Sequence, residues 1–248
     1  MITIKSQAEL DIMRRANRLV AQVLADVARR AAPGVTTASL DQRAEEMARA
    51  AGAEPAFKGY HGYPYALCCS VNEQVVHGFP SQRPLQEGDI LSVDFGVVLD
   101  GFYGDAALTV GIGRVSHEAR DLMDTTRRSL EAAIAQAKPG NRLGDISAAV
   151  QRVAEAGGYS VVRQFVGHGI GRAMHEDPQV PNYGVPGRGV KLKPGMVLAI
   201  EPMVNAGDFE VTVLDDGWTA VTVDGKLSAH FEHTVAVTEN GPQVLSLP

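Results

Sequence analysis

The feature that most constrains this chain is that its second half replays its first. Pro33-Gly34 recurs 106 residues later as Pro139-Gly140, and the series behind each falls at matching places: Leu40, Ala44, Met47 and Gly52 against Ile146, Val150, Val153 and Gly158. His61-Gly62 and His168-Gly169, Gly88 and Gly195, and Asp94 and Glu201 are each 107 apart. A string of pairs in near-constant register marks a duplicated structural unit. The expectation is an α+β chain of two similar halves, about 1–113 and 114–248, packed face to face into one domain, with strands as the floor and helices as the cover.

Local patterning supplies the pieces. Ser6 to Ala32 opens with a capping box, Ser6 and Glu9, repeats apolar residues at Ile12, Ala16, Leu19, Val23 and Val27, and stops at Pro33-Gly34. A second helix is expected from about Ser39 to Gly52. Ala66–Val71, Ile90–Leu99 and Phe102–Val110 are rich in β-branched and aromatic residues, and Asp100-Gly101 reads as a hairpin turn between the last two. The Pro/Gly-rich stretch from Asp177 to Gly195 is expected to be an ordered surface loop or rim.

Asp94 lies inside the apolar run Ile90–Val98, where an unpaired carboxylate is costly to desolvate. Folding the hairpin at Asp100-Gly101 pairs residues whose numbers sum to 201, so Asp105 falls opposite Gly96 and on the same face as Asp94. Two like charges within about 7–8 Å repel, and Gly96 is expected to leave a volume between them that a divalent cation would fill. The other half offers Glu201 at the end of Met196–Ile200, Glu232 in a strand-like run, and His168 among glycines. Four carboxylates and one imidazole suit Mn, Fe(II) or Co better than a thiolate zinc set, and four anions neutralise two divalent ions.

Composition removes several classes. With 23 basic and 29 acidic residues, the net charge of −6 lacks the basic surplus that nucleic-acid binding requires. No apolar run approaches the roughly 20 residues of a membrane span. The two cysteines, Cys68 and Cys69, are adjacent and close no loop, which fits a reducing cytoplasm. Gly167-His168-Gly169-Ile170-Gly171 breaks the dinucleotide fingerprint, and His230-Phe231-Glu232-His233 lacks zincin spacing. Arg14-Arg15 and Arg29-Arg30 read as the solvated face of the first helix, with contact to a ribosome or nascent chain as the second reading.

Taken together, Tyr60-His61-Gly62-Tyr63-Pro64, Val71-Asn72-Glu73 leading to His77-Gly78-Phe79-Pro80, Asp94-Phe95-Gly96 with Asp105, Gly167–Gly171, His175-Glu176, Glu201-Pro202 and Phe231-Glu232-His233-Thr234 resemble the type I methionine aminopeptidases of the bacterial kind over nearly the whole chain. The resemblance implies the pita-bread fold and a cytoplasmic, monomeric enzyme that removes N-terminal methionine from nascent polypeptides and peptides when the next residue is small. It implies five metal ligands at Asp94, Asp105, His168, Glu201 and Glu232. Two divalent ions, Fe(II), Mn, Co or Zn, would be bridged by Asp105 and Glu232, with Asp94 chelating one and His168 and Glu201 completing the other. An activated water would attack the first peptide carbonyl. His175 is implied to stabilise the oxyanion, His77 to contact the peptide nitrogen, and Glu201 to shuttle a proton.

The methionine pocket implied by the same resemblance comprises Tyr60, Tyr63, Cys68 and Trp218 with Met174, where family members commonly carry Phe. Thioether sulfur packs well against aromatic edges and a thiol. His61 is expected to be structural, and His117, His230 and His233 receive no role. The rivals are an Xaa-Pro peptidase of the same fold, a metal-free enzyme acting on a small amidine, and a non-catalytic peptide-binding module. The first usually carries an additional N-terminal domain, and the last two typically lose ligands. Only 25 residues separate His175 from Glu201, too few for the helical insertion of type II enzymes.

Overall fold

A computed structural model describes residues 2–247. The first half supplies α1 (Gln7–Arg30), α2 (Thr37–Ala50), β1 (Glu54–Pro55), β2 (Leu67–Val71), β3 (Gln74–Val76), β4 (Ile90–Leu99) and β5 (Phe102–Gly111). The second supplies α3 (His117–Ile134), α4 (Leu143–Ala156), β6 (Ser160–Val161), β7 (Gly167–Gly169), β8 (Glu176–Val180), β9 (Val197–Ile200) and β10 (Met203–Asn205). It continues with β11 (Val211–Val213), β12 (Ala220–Thr222), β13 (Ser228–His230), β14 (Glu232–Thr238) and β15 (Gly241–Val244).

The helix boundaries follow local chemistry. At α1 the Ser6 hydroxyl accepts from the Glu9 amide while the Glu9 carboxylate accepts from the Ser6 amide, satisfying two donors at the helix start. Its buried stripe is broader than expected: Ala16, Val23 and Val27 are joined by Leu10, Met13, Val20 and Leu24, while Ile12 and Leu19 lie on the shoulder. Helix α2 starts at the Thr36 cap and ends before Gly52, whose φ of +74° is matched by +82° at Gly158 behind α4. Arg14, Arg15, Arg29 and Arg30 each pair with an acid of this chain, Asp11, Asp100 and, for the last two, Asp26. These pairs favour the solvated-face reading of that helix.

The main sheet has nine strands in the path β1-β4-β5-β14-β9-β7-β8, with β2 beside β4 and β15 beside β14. The β4–β5 hairpin has the expected register, Gly96 opposite Asp105. It turns through Asp100 and Gly101, both left-handed. The halves meet where β5 pairs with β14, Ala107 opposite Glu232. Outward from that seam each half repeats the order, β4 beyond β5 and β9 beyond β14. One core gathers side chains from α1, α2, β2, β4 and β5, and a second lies mainly among α3, α4, β9 and β14.

Two local expectations fail. The stretch from Asp177 begins not as loop but inside β8, whose outer position in the sheet lets Pro178 lack an amide donor without breaking a ladder. The space beside Gly96 is not left for an ion: a Cβ there would meet Phe57 Cε1 at 3.0 Å and Ala56 Cβ at 3.2 Å.

The repeat register also changes. It stays at 107 up to Glu201, then the excursion through β11, β12 and β13 intervenes before the last core strand. From the seam pairing Ala107 with Glu232, equivalent positions become Asp105 with His230 and Thr109 with Thr234. The hydrogen bonds obey this symmetry. Thr234 Oγ1 donates to the Asp105 carbonyl at 2.7 Å, and Thr109 Oγ1 donates to the His230 carbonyl at 2.8 Å.

Candidate metal centre

Five adjacent strands of the sheet, β4, β5, β14, β9 and β7, position the five expected donors: Asp94 and Asp105 within the hairpin strands, Glu232 opening β14, Glu201 directly after β9, and His168 in β7. One ligand atom from each of Asp105, His168 and Glu232 lies within 4.8 Å of the others. Glu201 joins through its Oε1, 3.4 Å from His168 Nε2, whereas Asp105 Oδ2 stands 4.0 Å from the same nitrogen. Asp94 lies on the same face of the hairpin as Asp105, which stands opposite Gly96, and its charge adds to the repulsion on Asp105.

This packing of acids is unfavourable as it stands. Burial, with its neighbours' charges, pushes Asp105, Glu201 and Glu232 well above the carboxylate range, and burial raises Asp94 to about 7. Asp94 Oδ1, Asp105 Oδ1 and Glu232 Oε1 are buried without a hydrogen-bond partner. His168 Nδ1 bonds the Gly169 carbonyl at 2.9 Å, so it carries the proton, and burial lowers the imidazole to about 4. The Nε2 lone pair therefore faces carboxylate oxygens, electron-rich atoms gathered around a point that a cation would satisfy. The residues present fit divalent metal: hard oxygen donors, one neutral imidazole with its second nitrogen held by a carbonyl, and orphaned carboxylate oxygens.

A cavity of about 250 Å³ opens onto this cluster, and every expected site residue lines it. Tyr63, Cys68 and Met174 are buried in its wall, Tyr60 and Trp218 half-buried. Tyr63 and Trp218 meet edge-on with centroids 5.1 Å apart. Cys68 stands opposite Asp94 in the β2–β4 register, and burial pushes its thiol up, so it packs as a neutral group. Trp218 arrives with the β11–β12 hairpin, which crosses to pair with β3 of the first half. That crossing places the indole 6.2 Å from the His77 ring.

His77 adopts a left-handed backbone, φ +61°, and its ring meets Phe165 edge-on at 5.4 Å. Burial lowers it to about 4. His175 stands at the exposed rim, its ring 4.3 Å from that of His168, with Nδ1 2.8 Å from the Tyr60 hydroxyl. Glu176 holds the segment that carries it: Oε1 accepts from the Arg172 amide, and Oε2 pairs with the nearly buried Lys5 ammonium at 2.5 Å.

Sequence reasoning missed the walls formed by Phe57, Phe165 and Met203, which carry no signal beyond being apolar. His61, expected to be structural, also lines the cavity, exposed and edge-on to Tyr60 at 4.4 Å. His230, given no role, is buried with Nε2 3.8 Å from Glu201 Oε2.

The chain belongs to metallopeptidase family M24, whose profile matches residues 11–239. It is 55% identical over 247 residues to a methionine aminopeptidase of Clostridium perfringens, covering 100% of this chain and 99% of that one. Methionine aminopeptidase 1 of Bacillus subtilis is 51% identical over 246 residues, with 99% of both chains covered. The crystal structure of a Thermotoga maritima methionine aminopeptidase superposes with a TM-score of 0.99 at 51% identity, covering both chains in full. The fold is thus the α+β pita-bread arrangement of this family.

Proposed function

We propose that this chain is a methionyl aminopeptidase: a metallohydrolase that removes N-terminal methionine from nascent proteins and peptides whose second residue is small. The observation that carries the reading is the meeting of five donors, with orphaned carboxylate oxygens, at one end of an apolar cavity. Asp94, Asp105, His168, Glu201 and Glu232 would hold two divalent ions, Fe(II), Mn, Co or Zn. When bound, such ions supply Lewis acidity and bring water to hydroxide character near neutral pH, from a pKa of 15.7 to roughly 7.

The remaining work falls to side chains. With the Tyr60 hydroxyl 2.8 Å from its Nδ1, His175 in the tautomer protonated on Nε2 would offer that proton to the oxygen of the scissile carbonyl as negative charge develops. His77, held neutral by burial, contacts the peptide nitrogen next to the scissile bond. Glu201, whose Oε1 stands 3.4 Å from His168 Nε2 at the edge of the donor set, relays a proton to the departing amine. Tyr60, Tyr63, Cys68, Met174 and Trp218 enclose the methionine side chain, and a charged side chain there would be desolvated without a partner.

The whole chain acts as one catalytic domain, as a monomer in the cytoplasm, with any ribosome contact transient. Among the described residues no helix is long and apolar enough to cross a membrane. Assay of Met-Ala, Leu-Ala and Ala-Pro peptides on chelator-stripped protein, restored with each metal in turn, tests the reading. Hydrolysis of Met-Ala alone, dependent on metal, is expected. Preference for Ala-Pro would make the chain an Xaa-Pro peptidase, and absence of turnover with every metal would leave a binding module.

A further inference from the structure

The duplicated architecture assigns His230 a partner that its sequence context conceals. Asp94 and Glu201 are equivalent by the 107-residue register, and beyond the excursion Asp105 and His230 are equivalent across the seam. Both carbonyls of the latter pair receive the hydroxyl of the symmetry-related threonine, so the two residues occupy the same backbone cradle. In the first half the cradle places a carboxyl on the same sheet face as Asp94, opposite Gly96. In the second it aims an imidazole at Glu201.

His230 is 1% exposed, and its Nε2 has no hydrogen-bond partner. The nearest acid to that nitrogen is Glu201 Oε2 at 3.8 Å, while Glu201 Oε1 stands 3.4 Å from His168 Nε2. The backbone of His230 cannot drift, because its amide also donates to Thr109 Oγ1 at 2.9 Å and β13 is laddered to β10 at Met203. We propose that His230 is a positioning residue: its Nε2–H donates to Glu201 Oε2 and turns Oε1 toward His168 and the cation site. A shift of less than 1 Å in the flexible Glu201 side chain closes the bond, and it gives a partner to a buried nitrogen that otherwise has none. Ligating carboxylates are commonly oriented in this way, and loss of such an outer partner costs roughly 10–100-fold in metal affinity. The inference rests on the metal reading of the site given above.

Calorimetric titration of Mn²⁺ into the chelator-stripped full chain provides the test. His230→Leu is expected to weaken binding of one ion by roughly 10–100-fold, and His230→Gln, which keeps an N–H donor, to retain most of the affinity. In a Glu201→Gln background His230→Leu should have no further effect, whereas a merely structural role would lower affinity equally in both backgrounds. Unchanged binding by His230→Leu, or additivity with Glu201→Gln, overturns the proposal while leaving the metal reading intact. A parent protein that takes up no Mn²⁺ overturns both. Imidazole nitrogen NMR of the parent covers the case in which His230→Leu fails to fold. An Nε2–H resonance of His230 that moves on Glu201→Gln supports the bond, and one that does not move excludes it.

Discussion

At the scale of single residues the site is a balance between burial and charge. Asp105 has Coulombic repulsion from both Glu232 and Asp94. Asp105→Asn should keep the hairpin, because the β4–β5 register rests on main-chain bonds. It should lower Mn²⁺ affinity by more than the roughly 10–100-fold of an outer-shell change, because a carboxylate charge is lost from the donor set itself. Circular dichroism with calorimetry checks both halves of that statement. His175 meets the cluster through the ring of His168, tilted at 58° to its own, so His175→Ala should leave Mn²⁺ binding intact and lower kcat by roughly 10²–10³. Steady-state kinetics on Met-Ala peptides, with KM little changed, is the expected outcome; an unaltered kcat would make His175 scaffolding.

At the scale of elements, the helices set the donors by close contact. A Cβ on Gly104 would stand 2.9 Å from the Asn17 amide nitrogen and 3.0 Å from the Ala16 carbonyl carbon, so α1 lies directly on β5. Asn17 Oδ1 uses that proximity to accept from the Asp105 amide at 3.2 Å, and its Nδ2 donates back to the Met13 carbonyl. Gly104→Ala should therefore push backbone against backbone, at a cost of about 1–3 kcal/mol, and weaken Mn²⁺ binding as Asp105 loses its brace. Chemical denaturation and metal titration of the same variant measure the two effects, and an unchanged stability would mean α1 has room to move. Helix α3 shows why this layer was only partly legible. Its buried face includes Thr125, Thr126 and Ser129, two of whose hydroxyls bond main-chain carbonyls of the helix, so the apolar period that announces α1 is muted.

For the molecule as a whole, two cores meet at one seam, and the seam concentrates acid. Because burial raises Asp94 from 3.8 to about 7, and shifts Asp105, Glu201 and Glu232 the same way, the folded metal-free chain binds more protons than the unfolded one in that interval. Their contribution to stability is complete below about pH 3.8 and is lost as the pH rises toward 7. Bound cations offset the loss, contributing about 2.7 kcal/mol when the free ion is at 100 times its dissociation constant. The melting temperature of stripped protein should fall between pH 5 and 7 relative to Mn²⁺-loaded protein, and the gap should widen with pH. Parallel curves would remove the carboxylate cluster as its cause.

Legible in the residues alone were the duplication, the capped first helix and the hairpin register that sets Asp105 opposite Gly96, while motifs marked the five candidate donors and the apolar wall. These are local or periodic signals, and chemistry written at fixed spacing survives without coordinates. The rest came from contacts between distant parts of the chain. The excursion between β10 and β14 breaks the 107-residue register, so the equivalence of Asp105 with His230 and the bridging of Trp218 to β3 depend on contacts between chain segments far apart in number. Phe57 fills the space beside Gly96 for the same reason: close packing is settled by whatever element arrives, and no single-strand pattern encodes its neighbour.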